Sequence, residues 1–528
     1  MNSLGSLAMP HKTPEAGNAT TGYPQKLLKW SLTPLIVLLS ACTSLPPRPD
    51  LPPETALPTG DGVLDRLAAP AEARNPGKSA FRLVVDGREA FALRAHSARA
   101  AARSLDIQTY IWHEDSTGLH LAALVLEAAD RGVRVRMLLD DMDARAKSAG
   151  IAALSAHPNI QVRLFNPLAT RAGKVRLVAE GLRDFSRLNH RMHNKTWIAD
   201  NRIALVGGRN IGDEYYGASD EKNFSDLDFA MIGPVVREIS ASFDRYWNSS
   251  TVYPISAVDA GSVSTEALAR VRADLAPHAR AAAATLHAGD AVHLLTQGEW
   301  PVEWTERYRF VADDPAKPTM AEGDENRSQV AAALRPLLAG AATEVTIISP
   351  YFVPGGATPM LAGKAKAGTS VRILTNSLVA NDVAAVHGGY SRHRPALLEG
   401  GVQLWELKPH PGDRPSSSLM GSSGASLHTK ALSVDRKALF VGSYNLDPRS
   451  TWLNCEQGVL VESAALANQF ERIFAAHTTG ARSWKVTTKD SVLTWTDGTE
   501  TFDSDPQASA WRRFQAWLVR ALGLDPQL

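Results

Sequence analysis

Apolar and polar positions along the chain fall into a pattern that occurs twice. A helix-period stretch from Phe91 to Arg103 leads into the alternating run Leu105 to Trp112, and a second from Val330 to Leu338 leads into Val345 to Tyr351. Each half continues with a helix that stops at a glycine, Gly132 or Gly368, then with the strand-like runs Val133 to Leu139 or Val371 to Leu374. Val162 to Phe165 and Val402 to Trp405 complete the match. Strands alternating with helices predict β-α-β units, so the chain is expected to be α/β, two repeats with a mixed, mostly parallel sheet flanked by helices in each. The expected divisions are a first repeat over 80–262, an Ala-rich helix-prone linker over 263–288, a second repeat over 289–480 and a C-terminal tail over 481–528. In that tail Trp511, Phe514, Leu518 and Leu522 recur at helical spacing, with Arg512, Arg513 and Arg520 off the stripe and Trp517 at its edge. Such a helix suits a membrane interface or packing on the protein's own core, and periodicity leaves both open.

The first 79 residues break this pattern. Lys26 and Lys29 precede the apolar run Leu32 to Leu39, which ends in Ser40, Ala41 and Cys42. Basic, apolar, then small is the order of a signal peptide, here 1–41, and the run is too short to span a bilayer. The cysteine directly after the small residues resembles a bacterial lipobox, which implies lipidation at Cys42 and a lipid-anchored protein facing the periplasm. Thr43, in place of the aspartate that retains many lipoproteins at the inner membrane, favours the outer membrane. Six prolines between Thr43 and Pro58 exclude a helix there, and 42–79 is expected to be an extended tether with the folded body starting near Ala80.

Composition narrows the function classes. Hydrophobic residues are 44% and charged residues 21%, an ordinary folded protein. Lys+Arg 56 against Asp+Glu 55 gives a net charge of +1, without the basic excess of a nucleic-acid binder. With Cys42 acylated, Cys455 is the remaining thiol, so no disulfide and no cysteine metal site can form, and Cys455 is expected to be a small buried apolar residue.

The chemistry is carried by a motif present once per half. His193, Lys195, Asp200, Gly207, Gly208 and Asn210 match His428, Lys430, Asp435, Gly442, Ser443 and Asn445, with histidine and asparagine 17 residues apart in both. In a strand, His-x-Lys places both side chains on one face, and each motif is expected on a hairpin turning at Asn201-Arg202 or Arg436-Lys437. Phosphodiester transfer without a metal or cofactor needs a nucleophile, a proton donor for the leaving alkoxide and positive charge on the non-bridging oxygens. Two histidines supply the first two; Lys195, Lys430, Asn210 and Asn445 supply the third. One imidazole attacks phosphorus while the other manages protons, and each needs a partner on its second ring nitrogen. Glu456, 28 residues after His428, and Asp226, 33 after His193, are the candidates, with Asp228 a second choice. Asp200 and Asp435 are expected to orient the hairpins by hydrogen bonds rather than touch phosphate. His190, His387 and Tyr390 are expected to be surface or rim residues rather than ligands.

With these residues stated, the chain resembles the phospholipase D superfamily, defined by two H-x-K-x4-D motifs, over about Ala80 to Gly480. Ile107 to Asp115, Arg191 to Gly217 and Gly442 to Glu456 are similar to the bacterial C-type cardiolipin synthases. The resemblance implies two repeats packed pseudo-symmetrically around one active site, His193 as nucleophile and His428 as acid/base. It implies transfer of a phosphatidyl group, through a phosphohistidine, to phosphatidylglycerol, from phosphatidylethanolamine or a second phosphatidylglycerol. Some members are thought to need a helper protein, of which the sequence shows no trace. Gly208 departs from the usual serine, so the half-sites are not equivalent. A phospholipase D that hydrolyses lipids to phosphatidic acid would use the same residues, since acceptor choice turns on how water is excluded. A nuclease fits a lipid anchor and balanced charge less well, and a catalytically dead scaffold would not keep both motifs.

Overall fold

The computed structural model describes residues 45–171, 180, 184–285, 302–321, 324, 327–381, 383–409, 427–490 and 492–522. The signal segment and Cys42 lie outside the described residues, and so does Thr43. Among those described, two mixed sheets form the frame, nine strands in the first and ten in the second.

The same unit recurs in each sheet. In the first, Ser104–Thr109, Arg134–Asp140 and Ile160–Phe165 run parallel, joined by helices. In the second, Glu344–Ile348, Ser370–Asn376 and Gln403–Leu407 do the same. Gly132 and Gly368, which end the crossover helices, have φ of 92° and 97°, where a Cβ would be strained. On the other side of Ser104–Thr109 lies the hairpin Thr196–Ala199 and Ile203–Gly207; its counterpart beside Glu344–Ile348 is Ala431–Val434 and Ala438–Gly442. Both hairpins turn through two residues of positive φ, Asp200-Asn201 and Asp435-Arg436, one position earlier than the sequence predicts.

The mixed sheets and flanking helices agree with the expected class, but the mostly parallel pairing does not. Parallel neighbours are confined to three strands of each sheet, whose crossover helices return the chain to the adjacent strand; every other neighbouring pair is antiparallel.

The expected boundaries also shift. The described part of the tether lies along the first repeat: Arg48 Nε donates to Val252 O (2.7 Å), Glu54 pairs with Arg163 (2.8 Å) and Ala56 N donates to Asp244 (2.8 Å). A helix, Val63–Arg74, then buries Leu64 and Ala68 ahead of the first strand, Ser79–Val84. The linker helix Thr265–Thr285 packs on the first repeat, with Leu275 in its core. Glu303–Thr305 pairs with the first sheet, although it lies in the stretch expected for the second repeat. The tail completes the second sheet, since Ser483–Lys489 pairs with Gln403–Leu407.

One apolar core joins the repeats. Met192, Val206 and Phe229 of the first cluster with Leu427, Val441, Cys455 and Val459 of the second, all nearly or fully buried. This places the starting ends of the two motif hairpins against each other.

Candidate active site

Two short parallel bridges stitch the halves together, Met192 with Cys455 and Ser225 with Leu427. His193 N donates to Cys455 O and His428 N to Ser225 O, both at 2.9 Å. Each histidine backbone is thus registered by the segment of the opposite half that carries a candidate carboxylate. The side chains follow the same exchange: His193 Nδ1 lies 2.9 Å from Glu456 Oε2, and His428 Nδ1 lies 2.6 Å from Asp226 Oδ2. Both expected partners are engaged, but crosswise, each on the histidine of the other repeat. Asp228 instead takes Arg94 (3.0 Å).

These contacts fix the tautomers. His193 Nδ1 also faces the Ser443 carbonyl (3.1 Å), and a nitrogen between a carbonyl and a carboxylate must carry the proton. Nε2 is then left with a free lone pair. Burial holds the His193 pKa down to about 4, against the Glu456 charge that raises it and with Lys195 and Lys430 lowering it further. Glu456 is itself kept below the ordinary carboxylate range: burial would raise it, but His193, Lys195 and the Ser443 hydroxyl win. The pair is therefore a neutral imidazole donating to an ionised carboxylate. His428 is also held well below its usual range, by burial first and then by Lys430, Lys195 and His193, so the two rings belong to one electrostatic site. Burial raises Asp226, opposed by Lys430 and Arg209.

Lys195 and Lys430 fold back onto their own strands, each Nζ 2.5 Å from the carbonyl two residues before, His193 O and His428 O. Burial and the neighbouring Lys430 hold Lys195 well below its usual range against the pull of Glu456. Asn210 donates to Tyr215 Oη (2.9 Å) and accepts from Ile111 N (3.3 Å), while Asn445 is held through its backbone by Ser450 (3.2 Å).

Gly208 is explained by space. A Cβ there would stand 2.2 Å from Asp226 Oδ1, the carboxylate that holds His428. In the other half the longer Glu456 leaves room for Ser443, whose hydroxyl donates to Glu456 Oε2 at 2.5 Å. Gly208→Ser is expected to push Asp226 off His428 and lower kcat by roughly a hundredfold, since displacements near 1 Å cost about that much. Steady-state kinetics with unchanged thermal stability checks this, and an unaltered kcat would show that the space is dispensable.

Asp200 and Asp435 stand at the turn ends of their hairpins, away from the histidines. Asp200 accepts from Ala102, Arg103 and Ser104 N (2.8–2.9 Å), and Asp435 from Ala342, Thr343 and Glu344 N (2.7–3.1 Å). Each clamps the start of the strand its hairpin pairs with. His190, His387 and Tyr390, expected at the surface or rim, are buried: His190 meets Arg327 (2.8 Å), and His387 meets Asp505 (3.0 Å) and packs on Tyr390. Interior polar networks captured them. Cys455 is fully buried.

Residues that sequence reasoning passed over complete the site. Tyr110 packs edge-on against His193, with ring centroids 5.2 Å apart, and Tyr215 and Phe224 flank His428 at 5.2 and 5.3 Å. Gln457 bridges the halves by donating to Lys195 O (2.9 Å) and Thr196 (2.6 Å). Tyr110 and Tyr215 lie in the segments that carry the resemblance, but nothing in their spacing marked them.

Two repeats that exchange carboxylates across a shared histidine pair define an enzyme of the phospholipase D superfamily. Comparison with known proteins agrees: the family described as "Cardiolipin synthase, PLD-like domain" matches residues 95–247 and 334–478. The chain is 38% identical to cardiolipin synthase C of Escherichia coli (strain K12), over 88% of this chain and 99% of that protein. It is 27% identical to cardiolipin synthase A of Pseudomonas syringae pv. syringae (strain B728a), over 79% of this chain and 71% of that protein. Among solved structures, the phosphatidylserine synthase of Haemophilus influenzae Rd KW20 shares the fold at 13% identity, with a TM-score of 0.55, 87% of this chain and 99% of that one covered. The chain belongs to the PLD-like cardiolipin synthase family, a phosphatidyltransferase family of the superfamily.

Proposed function

We propose that the protein makes cardiolipin by transferring a phosphatidyl group through His193 to phosphatidylglycerol. In the first half-reaction His193 Nε2 attacks the donor phosphorus, the phosphorus–oxygen bond to the headgroup breaks, and His428 gives its proton to the departing alkoxide. In the second, His428 takes the proton of a glycerol hydroxyl of phosphatidylglycerol, that oxygen attacks phosphorus, and the phosphorus–nitrogen bond breaks. Lys195, Lys430, Asn210 and Asn445 hold the non-bridging oxygens. His428 must start the cycle protonated; burial first, then Lys430 and Lys195, lower its pKa, and the charge of a bound phosphodiester anion would raise it. Asp226 and Glu456 steady the imidazolium forms.

The observation that carries this reading is the crossed pairing, which commits both Nδ1 atoms and leaves both Nε2 atoms without a hydrogen-bond partner among the described residues. The donor is proposed to be phosphatidylethanolamine or a second phosphatidylglycerol. Acylation at Cys42 would hold the enzyme at the membrane, facing the periplasm and at the outer rather than the inner membrane, which the residues before and after Cys42 support. Among the described residues no helix is long and apolar enough to cross a membrane.

Purified full-length protein, incubated in mixed micelles with labelled phosphatidylglycerol, with and without phosphatidylethanolamine, is expected to give cardiolipin at a rate that EDTA leaves unchanged. Phosphatidic acid as the sole product would make the protein a hydrolase. Inhibition by EDTA, relieved by a divalent ion, would contradict chemistry without a metal.

A further inference from the structure

The C-terminal helix Ala510–Leu522 resolves both ways of covering its faces. One face is packed: Ala516 sits against Gly388 of the helix Ala384–Ser391, where a Cβ would meet Ala516 O at 2.5 Å. Arg512 is buried on this side and donates to the carbonyls of Leu378 and Asn381. The other face is bare, with Trp511 63%, Phe514 46%, Trp517 53% and Leu518 39% exposed. The three rings stack in a row, Trp511 on Phe514 at 5.5 Å and Phe514 on Trp517 at 5.9 Å. These account for four of the nine large hydrophobic side chains exposed among the described residues, and a contiguous patch of this kind marks a surface meant to be covered.

Two features say what covers it. The helix carries Arg513 and Arg520 on exposed positions and no acidic residue, so its complement is anionic as well as apolar. Its position ties it to the chemistry: Arg512 clamps the loop leaving the strand Ser370–Asn376, and Asn376 donates to Leu427 O, the residue before His428 (3.2 Å). Met142 and Trp452, 49% and 40% exposed, lie on the short helices Asp141–Ala144 and Pro448–Trp452 at the same, histidine-bearing end of the sheets.

We propose that this face docks on an anionic phospholipid bilayer, seating Trp511, Phe514 and Trp517 at the headgroup boundary and presenting the mouth of the active site to the membrane. It rests on the lipid-transferring role proposed above, in which substrate must be drawn from a bilayer.

The test is tryptophan quenching of the full-length protein by vesicles with brominated acyl chains. Vesicles of brominated phosphatidylglycerol are expected to quench the wild type. Trp511→Phe/Trp517→Phe, which keeps the aromatic face but deletes its reporters, is expected to lose most of that quenching. Trp511→Ser/Phe514→Ser/Trp517→Ser is expected to weaken vesicle partitioning by roughly a hundredfold, and Arg513→Glu/Arg520→Glu to weaken it for phosphatidylglycerol more than for phosphatidylcholine. Equal quenching of wild type and double Phe variant would overturn the proposal. So would concentration-dependent self-association, abolished by the triple variant, with no quenching, since a second copy would then cover the face. Quenching needs no turnover: if vesicles quench the wild type but labelled lipid gives no transfer product, the docking face stands and the proposed function falls.

Discussion

His193→Ala is expected to lower turnover at least roughly 10⁴-fold, because the variant loses the atom proposed to form the covalent intermediate. His428→Ala should be comparably inactive on a natural lipid, whose alkoxide leaving group needs a proton. The two variants separate on a substrate with an activated leaving group such as p-nitrophenolate, which departs unprotonated. There His428→Ala is expected to release a burst of nitrophenol, and His193→Ala none. Rapid-quench kinetics with both variants checks the division of labour. A burst from His193→Ala and none from His428→Ala would reverse it.

Glu456→Gln is expected to cost nearly as much, about 10³- to 10⁴-fold in kcat, by analogy with replacing the carboxylate that orients a catalytic histidine. The amide can present its NH₂ to His193 Nδ1, which moves the ring proton to Nε2 and removes the lone pair that must attack. The variant should also shift the pH profile. His193 has to be neutral to act, so the acid limb of kcat/KM is expected to fall as pH drops through about 4. Glu456 is the charge that raises the His193 pKa, so its loss moves this acid limb lower. Stability follows the same group with a known sign: His193 is depressed on folding, so its contribution is present above the ordinary value of 6.5 and is lost as pH falls from there through about 4. An unshifted limb in the glutamine variant would show that the contact does not set the nucleophile.

Much of this site was legible in the sequence because it repeats. Two His-x-Lys pairs with the same offset to asparagine marked the residues that the structure brings together, and strand alternation put each pair on one face. The carboxylates were found as candidates, but counting from each motif could not reveal that Glu456 serves His193 and Asp226 serves His428. That exchange is a product of how the repeats pack, and chain spacing carries no record of it. The aromatic walls from Tyr110, Tyr215 and Phe224 were missed for the same reason. Gly208 stood out as a departure; only the position of the Asp226 carboxylate explains it. The β-α-β units were readable from periodicity, whereas the antiparallel additions Glu303–Thr305, Ser483–Lys489, Val492–Thr496 and Thr501–Phe502 came from short runs inside composition that resembles linker and tail. In the last helix, the stripe was visible but not which side of it faces the protein: Arg512, formally polar, is buried, and Trp511 is not.

The most direct measurement is to trap the intermediate on the enzyme. Wild-type protein mixed with radiolabelled phosphatidyl donor, stopped within one turnover under conditions that preserve phosphorus–nitrogen bonds and mapped by mass spectrometry, is expected to carry the phosphatidyl group on the peptide containing His193. Label on His428 instead, or steady turnover with no covalent adduct on either histidine, would contradict the account.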